Sequence, residues 1–283
     1  MSQHQRIAFI LSASFLVAFV AFGDIVVDVH LVDPAVSLGE PFDVTLQLTN
    51  TGDTTVITSD EALAATTLWP HLSLVRLLPD GTESPIVSDR PLLSPSPSAL
   101  WIERNGVQVA VRPAMVIDPG ASIDVRIANL LRYFPIVDPG EYRLRISLEL
   151  PTYTEVFTDP AYGEVDLVAA YDIDAVLSAP GSVDFVLRLI DGLAEADVEW
   201  FRESRTSYLS AQSIESLVDI LARPVKSIPY IRACSAYWTG EAYQLYAQVD
   251  RAIDAYDLVL SDHPESLFAG YAEDRLEEIL GAK

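Results

Sequence analysis

The stretch Phe42-Asp-Val-Thr-Leu-Gln-Leu-Thr49 decides how the N-terminal part of this chain is read. Phe42, Val44, Leu46 and Leu48 alternate with Asp43, Thr45, Gln47 and Thr49. Successive side chains of a β-strand point to opposite faces, so this strand has one dry face and one wet face. The same period of two runs through Val27, Val29 and Leu31, through Ile123, Val125 and Ile127, and through Leu144, Ile146 and Leu148. Such half-buried strands belong to antiparallel sheets packed as a sandwich or barrel. The strands of parallel α/β sheets are covered on both faces and read as continuous apolar runs instead.

Turn-forming groups separate the strands: Asn50-Thr-Gly-Asp53, Pro79-Asp-Gly81, Asn105-Gly106, Asp118-Pro-Gly120 and Asp138-Pro-Gly140. Asn105-Gly106 lies between Leu100-Trp-Ile102 and Val107-Gln-Val-Ala-Val111 and predicts a tight hairpin. Residues 84–98 hold Pro85, Pro91, Pro95 and Pro97, which cannot donate to a ladder, so a loop or frayed edge is expected there. The order of Gly39-Glu-Pro-Phe-Asp-Val, Leu48-Thr-Asn-Thr-Gly, Pro79-Asp-Gly, Asp118-Pro-Gly and Pro139-Gly-Glu-Tyr-Arg resembles a bacterial immunoglobulin-like sandwich domain. The resemblance implies an antiparallel β-sandwich over residues 24–190 and carries almost nothing about function. Cys234 is the one cysteine, so the Cys…Trp…Cys core of antibody domains is excluded.

Near Ile190 the period changes from two to 3.6. Leu193, Ala196, Trp200 and Ser204 share one helical face, and Ile214, Leu217, Val218 and Leu221 form the next stripe, with Ser213 as N-cap. Helices are expected near 230–246 and 249–261, and a last one after Pro264-Glu-Ser266 with the stripe Phe268, Ala272, Leu276 and Ile279. Gly240-x2-Tyr243, Ala252-x3-Tyr256 and Pro264 resemble one tetratricopeptide repeat. The resemblance implies helix pairs that bind other proteins. It places Cys234, Tyr237, Glu241 and Gln244 on a ligand groove, and Ala236, Gly240, Tyr243, Ala252 and Tyr256 on the packing seam. About three repeats normally make an independent solenoid, and one is clear here. Two readings of residues 191–283 therefore stay open: a peptide groove in which Tyr237, Glu241 and Gln244 meet a partner, or a helical unit packed on the sandwich.

Residues 1–23 read as a cleaved secretory signal, with Arg6 as the charged start, the apolar run Ile7–Phe22 and Ala21-Phe-Gly23 before cleavage at Asp24. That run is shorter than the ~20 apolar residues of a membrane span, so no stable membrane anchor is expected after cleavage. The full chain has 18 Lys and Arg against 41 Asp and Glu, a net charge of −23. Such a surface repels phosphate backbones, so nucleic acid is excluded as a partner class. The expected location is secreted or periplasmic.

Motifs for catalysis are missing: there is no nucleophile elbow, phosphate loop, dinucleotide fingerprint or His-Glu-x-x-His. His4, His30, His71 and His263 are not spaced as a metal pair, and no cofactor or metal is expected. Asp159, Glu164, Asp166, Asp172 and Asp174 form an acidic segment without the Asp-x-Asp-x-Asp-Gly pattern of a calcium loop. Trp69, Trp101, Trp200 and Trp238 are core residues or a sugar-stacking platform. The fold class expected is thus multidomain β plus α, an immunoglobulin-like sandwich followed by tetratricopeptide-like hairpins. The function expected is non-enzymatic binding of another envelope or secreted protein. A carbohydrate-binding or adhesion module is the alternative, and a hydrolase without a recognisable motif is a third.

Overall fold

The computed structural model describes residues 25–31, 33–60, 72–87, 100–104, 106–127, 129, 134, 136, 138–210, 213–223 and 228–281. The first strands are β1 (Ile25–Leu31), β2 (Ala35–Ser37), β3 (Val44–Asn50), β4 (Val56–Ser59), β5 (Leu72–Leu77) and β6 (Glu83–Ile86). They are followed by β7 (Leu100–Arg104), β8 (Val107–Ile117), β9 (Ser122–Ile127), β10 (Gly140–Tyr153), β11 (Phe157–Thr158), β12 (Asp166–Ala169) and β13 (Ile173–Arg188). Five helices come after them among the described residues: α1 (Glu195–Ser210), α2 (Ile214–Leu221), α3 (Pro229–Leu245), α4 (Val249–Asp262) and α5 (Leu267–Gly281). The protein is mixed β and α, with antiparallel sheets first and helices last.

The alternation read from the sequence sets the first sheet, in the order β1-β3-β9. Its antiparallel register aligns Val27 with Leu48 and Ile123, Val29 with Leu46 and Val125, and Leu31 with Val44 and Ile127. All the apolar positions thus fall on one face, and Val44, Leu46 and Leu48 are fully buried. The second sheet runs β2-β13-β10-β5-β6, antiparallel except where β2 joins β13. Its Leu144, Ile146 and Leu148 share one core with the dry face of the first sheet. Burying each such side chain contributes about 1.5–3 kcal/mol, which drives the two faces together.

A third sheet has the order β11-β12-β8-β4, with β7 also on β8. β4 pairs with the C-terminal half of β8, while β7 pairs with its start. Beneath the β7 end lies a small separate core of Ile102, Val109, Val111 and Leu167. Arg104 pairs with Val107 across the hairpin expected at Asn105-Gly106, although Asn105 itself lies outside the described residues. Pro85 falls in β6, the edge strand of its sheet, where a missing donor costs nothing. Pro91, Pro95 and Pro97 lie outside the described residues, as does the signal segment.

The helices follow the expected spacing with one correction. In α1 the buried residues are Asp197, Trp200, Phe201, Ser204 and Arg205, and Ala196 is exposed. The Asp197 carboxylate accepts from the Ala194 amide at 3.1 Å, which turns Asp197 inward at the helix start and Ala196 out. Ser213 caps α2 by accepting from the Ser216 amide. α3 and α4 form a hairpin across Gly240. A Cβ on Gly240 would lie 2.5 Å from the Tyr256 ring, so only glycine lets these helices approach so closely. The helices are not a separate oil drop: Phe201, Tyr237, Trp238 and Phe268 belong to the same core as Leu38, Phe42 and the strands.

Candidate functional site

The β and α parts meet at the turn between β2 and β3. Gly39 is buried there at φ +83°, and a Cβ on it would sit 2.2 Å from Cε1 of Phe201. Its carbonyl accepts from Trp238 Nε1 at 2.9 Å and from the Cys234 thiol at 3.7 Å. The neighbouring Leu38 carbonyl accepts from the Tyr230 hydroxyl at 2.9 Å, and the Glu40 carboxylate from the Tyr271 hydroxyl at 3.2 Å. The Arg205 guanidinium stacks on the other side of this joint, 3.4 Å from the Trp238 ring centre. Burial pushes the Cys234 thiol well above its usual range, and burial likewise raises the Tyr230 and Tyr271 phenols. A thiol so held is a poor nucleophile.

The groove residues expected from the sequence lie in this junction, not on an open surface. Tyr237 is fully buried and Glu241 is 1% exposed. Glu241 Oε1 lies 3.2 Å from Arg275 Nε and accepts from the Tyr237 hydroxyl at 3.0 Å. Its other oxygen accepts from Asn129 Nδ2 at 3.1 Å. The Tyr256 hydroxyl lies 3.1 Å from both Glu241 Oε1 and the half-buried Gln244 side chain. The Asn129 amide donates to Asp43, which also pairs with Arg126, and Arg126 reaches Glu278 on α5. The correction has a clear cause: α5 and the Gly39–Asp43 turn cover the side of α3 that a groove would need open. A buried charge survives only when paired and hydrogen-bonded, and Glu241 has four such neighbours. Sequence periodicity missed Arg275 because it sits among the apolar stripe of α5. Arg275 follows Glu241 by 34 residues, the spacing at which the tetratricopeptide-like pattern expected from the sequence would recur.

The opposite side of α3 is open. A cleft of about 320 Å³ lies between α2, α3 and α4. Ser235 and Ala255 are buried in its floor, and Val218, Ala236 and Leu258 form its apolar walls. Arg232 and His263 stand in its lining. Arg232 and Ser235, which line it from α3, were not singled out in the sequence reading.

Other expected sites are placed as follows. Trp200 and Trp238 belong to the core, Trp101 is 56% exposed on β7, and Trp69 lies outside the described residues. His30 is exposed, whereas His4 and His71 lie outside the described residues. In the acidic segment, Asp159 caps a short helical turn by accepting from the Ala161 amide. Among the described residues no group of three or more His, Cys, Asp or Glu side chains is placed to hold a metal ion.

No family model matches the chain. No curated protein matches it either. Among solved structures, similarity is found to the CARDB domain of a Pyrococcus furiosus protein, 8% identical, covering 60% of this chain and 97% of that one with a TM-score of 0.24. The sporulation control protein Spo0M of Bacillus subtilis is 13% identical, covering 65% of this chain and 56% of that one with a TM-score of 0.27. AvmM, which catalyzes macrocyclization in alchivemycin A biosynthesis, is 12% identical, covering 61% of this chain and 92% of that one with a TM-score of 0.25. Overlays at these TM-scores carry neither a fold nor an activity to this chain.

Proposed function

We propose that this chain is a secreted or envelope protein that binds another protein without bond chemistry, and that its helices supply the binding surface. In this reading residues 24–190 are an immunoglobulin-like sandwich that carries and orients the helical unit 191–283, and α3 and α4 form a tetratricopeptide-like pair. The packing of Gly240 against the Tyr256 ring supports the pair. Residues 1–23 act as the export signal, and among the described residues no helix is long and apolar enough to cross a membrane. The observation that carries the reading is the open cleft on α3. One side of this helix is consumed by the joint with the β part, and the other keeps a concave, largely apolar surface between neighbouring helices. Concave apolar surfaces with a few polar groups are the usual form of binding sites.

Site-specific photo-cross-linking tests the proposal. A cross-linking residue at Leu258, in the cleft, should capture a protein adduct in the envelope fraction. The same residue at Val107, exposed on the β7–β8 hairpin, should not. Equal labelling at both positions, or none at Leu258, rejects the cleft as a protein-binding surface. One observation favours the carbohydrate alternative: the exposed Trp101 lies across from the small Ala110 on the ladder, which leaves its ring face open for stacking. Affinity electrophoresis in soluble polysaccharide gels, with Trp101→Ala as control, decides that reading.

A further inference from the structure

The charge of the cleft runs against the charge of the molecule. The chain has 41 acidic residues, and α2 and α4 alone carry Glu215, Asp219, Asp250, Asp254, Asp257 and Asp262, all exposed. None of these lines the cleft, and among the described residues no carboxylate does. What lines it is Arg232, an exposed side chain that makes no ion pair among the described residues. Arg188 and Arg251 are also exposed and make no ion pair among the described residues, but neither lines the cleft. Arg126, Arg143, Arg145, Arg202, Arg223 and Arg275 are all held by carboxylates of the chain itself. Arg232 differs from all of these in standing in a cleft whose described lining holds no carboxylate, and so is left for a carboxylate from outside.

The rest of the lining says what accompanies that carboxylate. The Ser235 hydroxyl donates to the Leu221 carbonyl and the Thr239 hydroxyl to the Ser235 carbonyl, so the polar floor is already satisfied within the helices. It offers a ligand the methyl groups of Thr239 and Ala255, not free hydroxyl donors. Val218, Ala236 and the 48% exposed Leu258 add an apolar wall. The overall negative field does not forbid an acidic ligand. Charges further off than about 8 Å are largely screened at physiological salt, so the contact with Arg232 decides.

We propose that the cleft between α2, α3 and α4 binds an extended segment of a partner protein in which an aliphatic side chain neighbours an aspartate or glutamate. The aliphatic group lies against Val218, Ala236 and Leu258, and the Arg232 guanidinium donates to the carboxylate in the paired geometry that arginine favours. The proposal rests on the helices being a protein-binding surface, and names the chemistry of what they bind.

The test is selection of phage-displayed random heptapeptides on the immobilised full-length secreted protein. The selected peptides should place Asp or Glu beside Leu, Ile or Val. Arg232→Glu should weaken the best of them at least about tenfold, the scale of one lost charge-assisted hydrogen bond. The same variant, used as bait, should select Lys or Arg in place of the acid. Leu258→Asp should abolish binding. If that variant does not fold, Ala222→Trp blocks the same cleft from an exposed rim position. Peptides that need Leu258 but show no acidic preference would overturn the proposed chemistry and leave protein binding standing. Peptides indifferent to Leu258 and Ala222, or no enrichment at all, would overturn both.

Discussion

Gly39 is the residue on which the union of strands and helices depends. Its backbone is left-handed at φ +83°, a conformation that costs other residues about 1–2 kcal/mol. An added methyl would also drive into the Phe201 ring, and overpacking of a core typically costs about 1–3 kcal/mol. Gly39→Ala is therefore expected to lose roughly 2–5 kcal/mol in urea denaturation; a loss under about 0.5 kcal/mol would mean that the joint yields freely. Tyr142 gives a second residue-scale prediction. Burial pushes its phenol up to about 12. The folded state thus holds the proton more tightly than the unfolded chain, whose phenol titrates near 10. The associated stability is complete below pH ~10 and is lost as pH rises towards about 12. Tyr142→Phe removes that loss along with the hydrogen bond from the Tyr142 hydroxyl to the Asp138 carbonyl. The melting point should fall less between pH 9 and pH 11 in the variant than in the parent, and an equal fall in both would contradict the assignment.

At the scale of elements, the α3–α4 hairpin makes the sharpest prediction. Gly240 costs α3 about 1 kcal/mol of helix propensity relative to alanine, so on a wet face its replacement would stabilise. Here a Cβ would meet three atoms of the Tyr256 ring between 2.5 and 2.8 Å. That ring cannot swing away cheaply, because its hydroxyl is engaged with Glu241 and Gln244. Gly240→Leu should lower the melting point, with a cost of about 1–3 kcal/mol; a raised midpoint would place Gly240 off the seam. This seam was legible in the sequence, because glycine and tyrosine at repeat spacing report a close helix approach. The strands β1, β3, β9 and β10 were legible for a similar reason, since one face of each is dry and the alternation shows it directly. The fate of Tyr237 and Glu241 was not. Helical spacing says that they share a face, but what covers that face is decided by the Gly39–Asp43 turn, far away in sequence. The α1 register was misread at Ala196 because a short-range hydrogen bond to Asp197 outweighed apolar periodicity.

At the scale of the whole molecule, the question is whether the strands stand alone. The change of period near Ile190 suggests that they do, and the connection between β13 and α1 falls there. The packing argues the other way. One core runs from Leu46 and Leu148 through Leu38 and Phe42 to Phe201, Trp238 and Phe268. The bond from Trp238 to Gly39 spans 199 residues, a separation that no local pattern in the sequence can report. Removing the helices would take Phe201, Trp238 and Phe268 away from the strand residues that share their core. It would also strip Asn129 of its Glu241 partner and take Arg275, Asp274 and Glu278 from the Asp43–Arg126 pair. Uncovering even two large apolar side chains costs about 3–6 kcal/mol, a large share of the 5–15 kcal/mol that holds a domain together. A chain ending at Ile190 is therefore expected to melt well below the full-length protein and to bind an apolar dye in its folded baseline. The full-length protein should unfold in one transition, with tryptophan fluorescence and far-ultraviolet circular dichroism changing together. Among the described residues the buried tryptophans, Trp200 and Trp238, both lie in helices, whereas the strands contribute to the dichroism, so the two probes weight different parts. Two separated transitions, or an unchanged melting point in the shortened chain, would show that the β part folds without its helices and that the shared core is a contact between independent units.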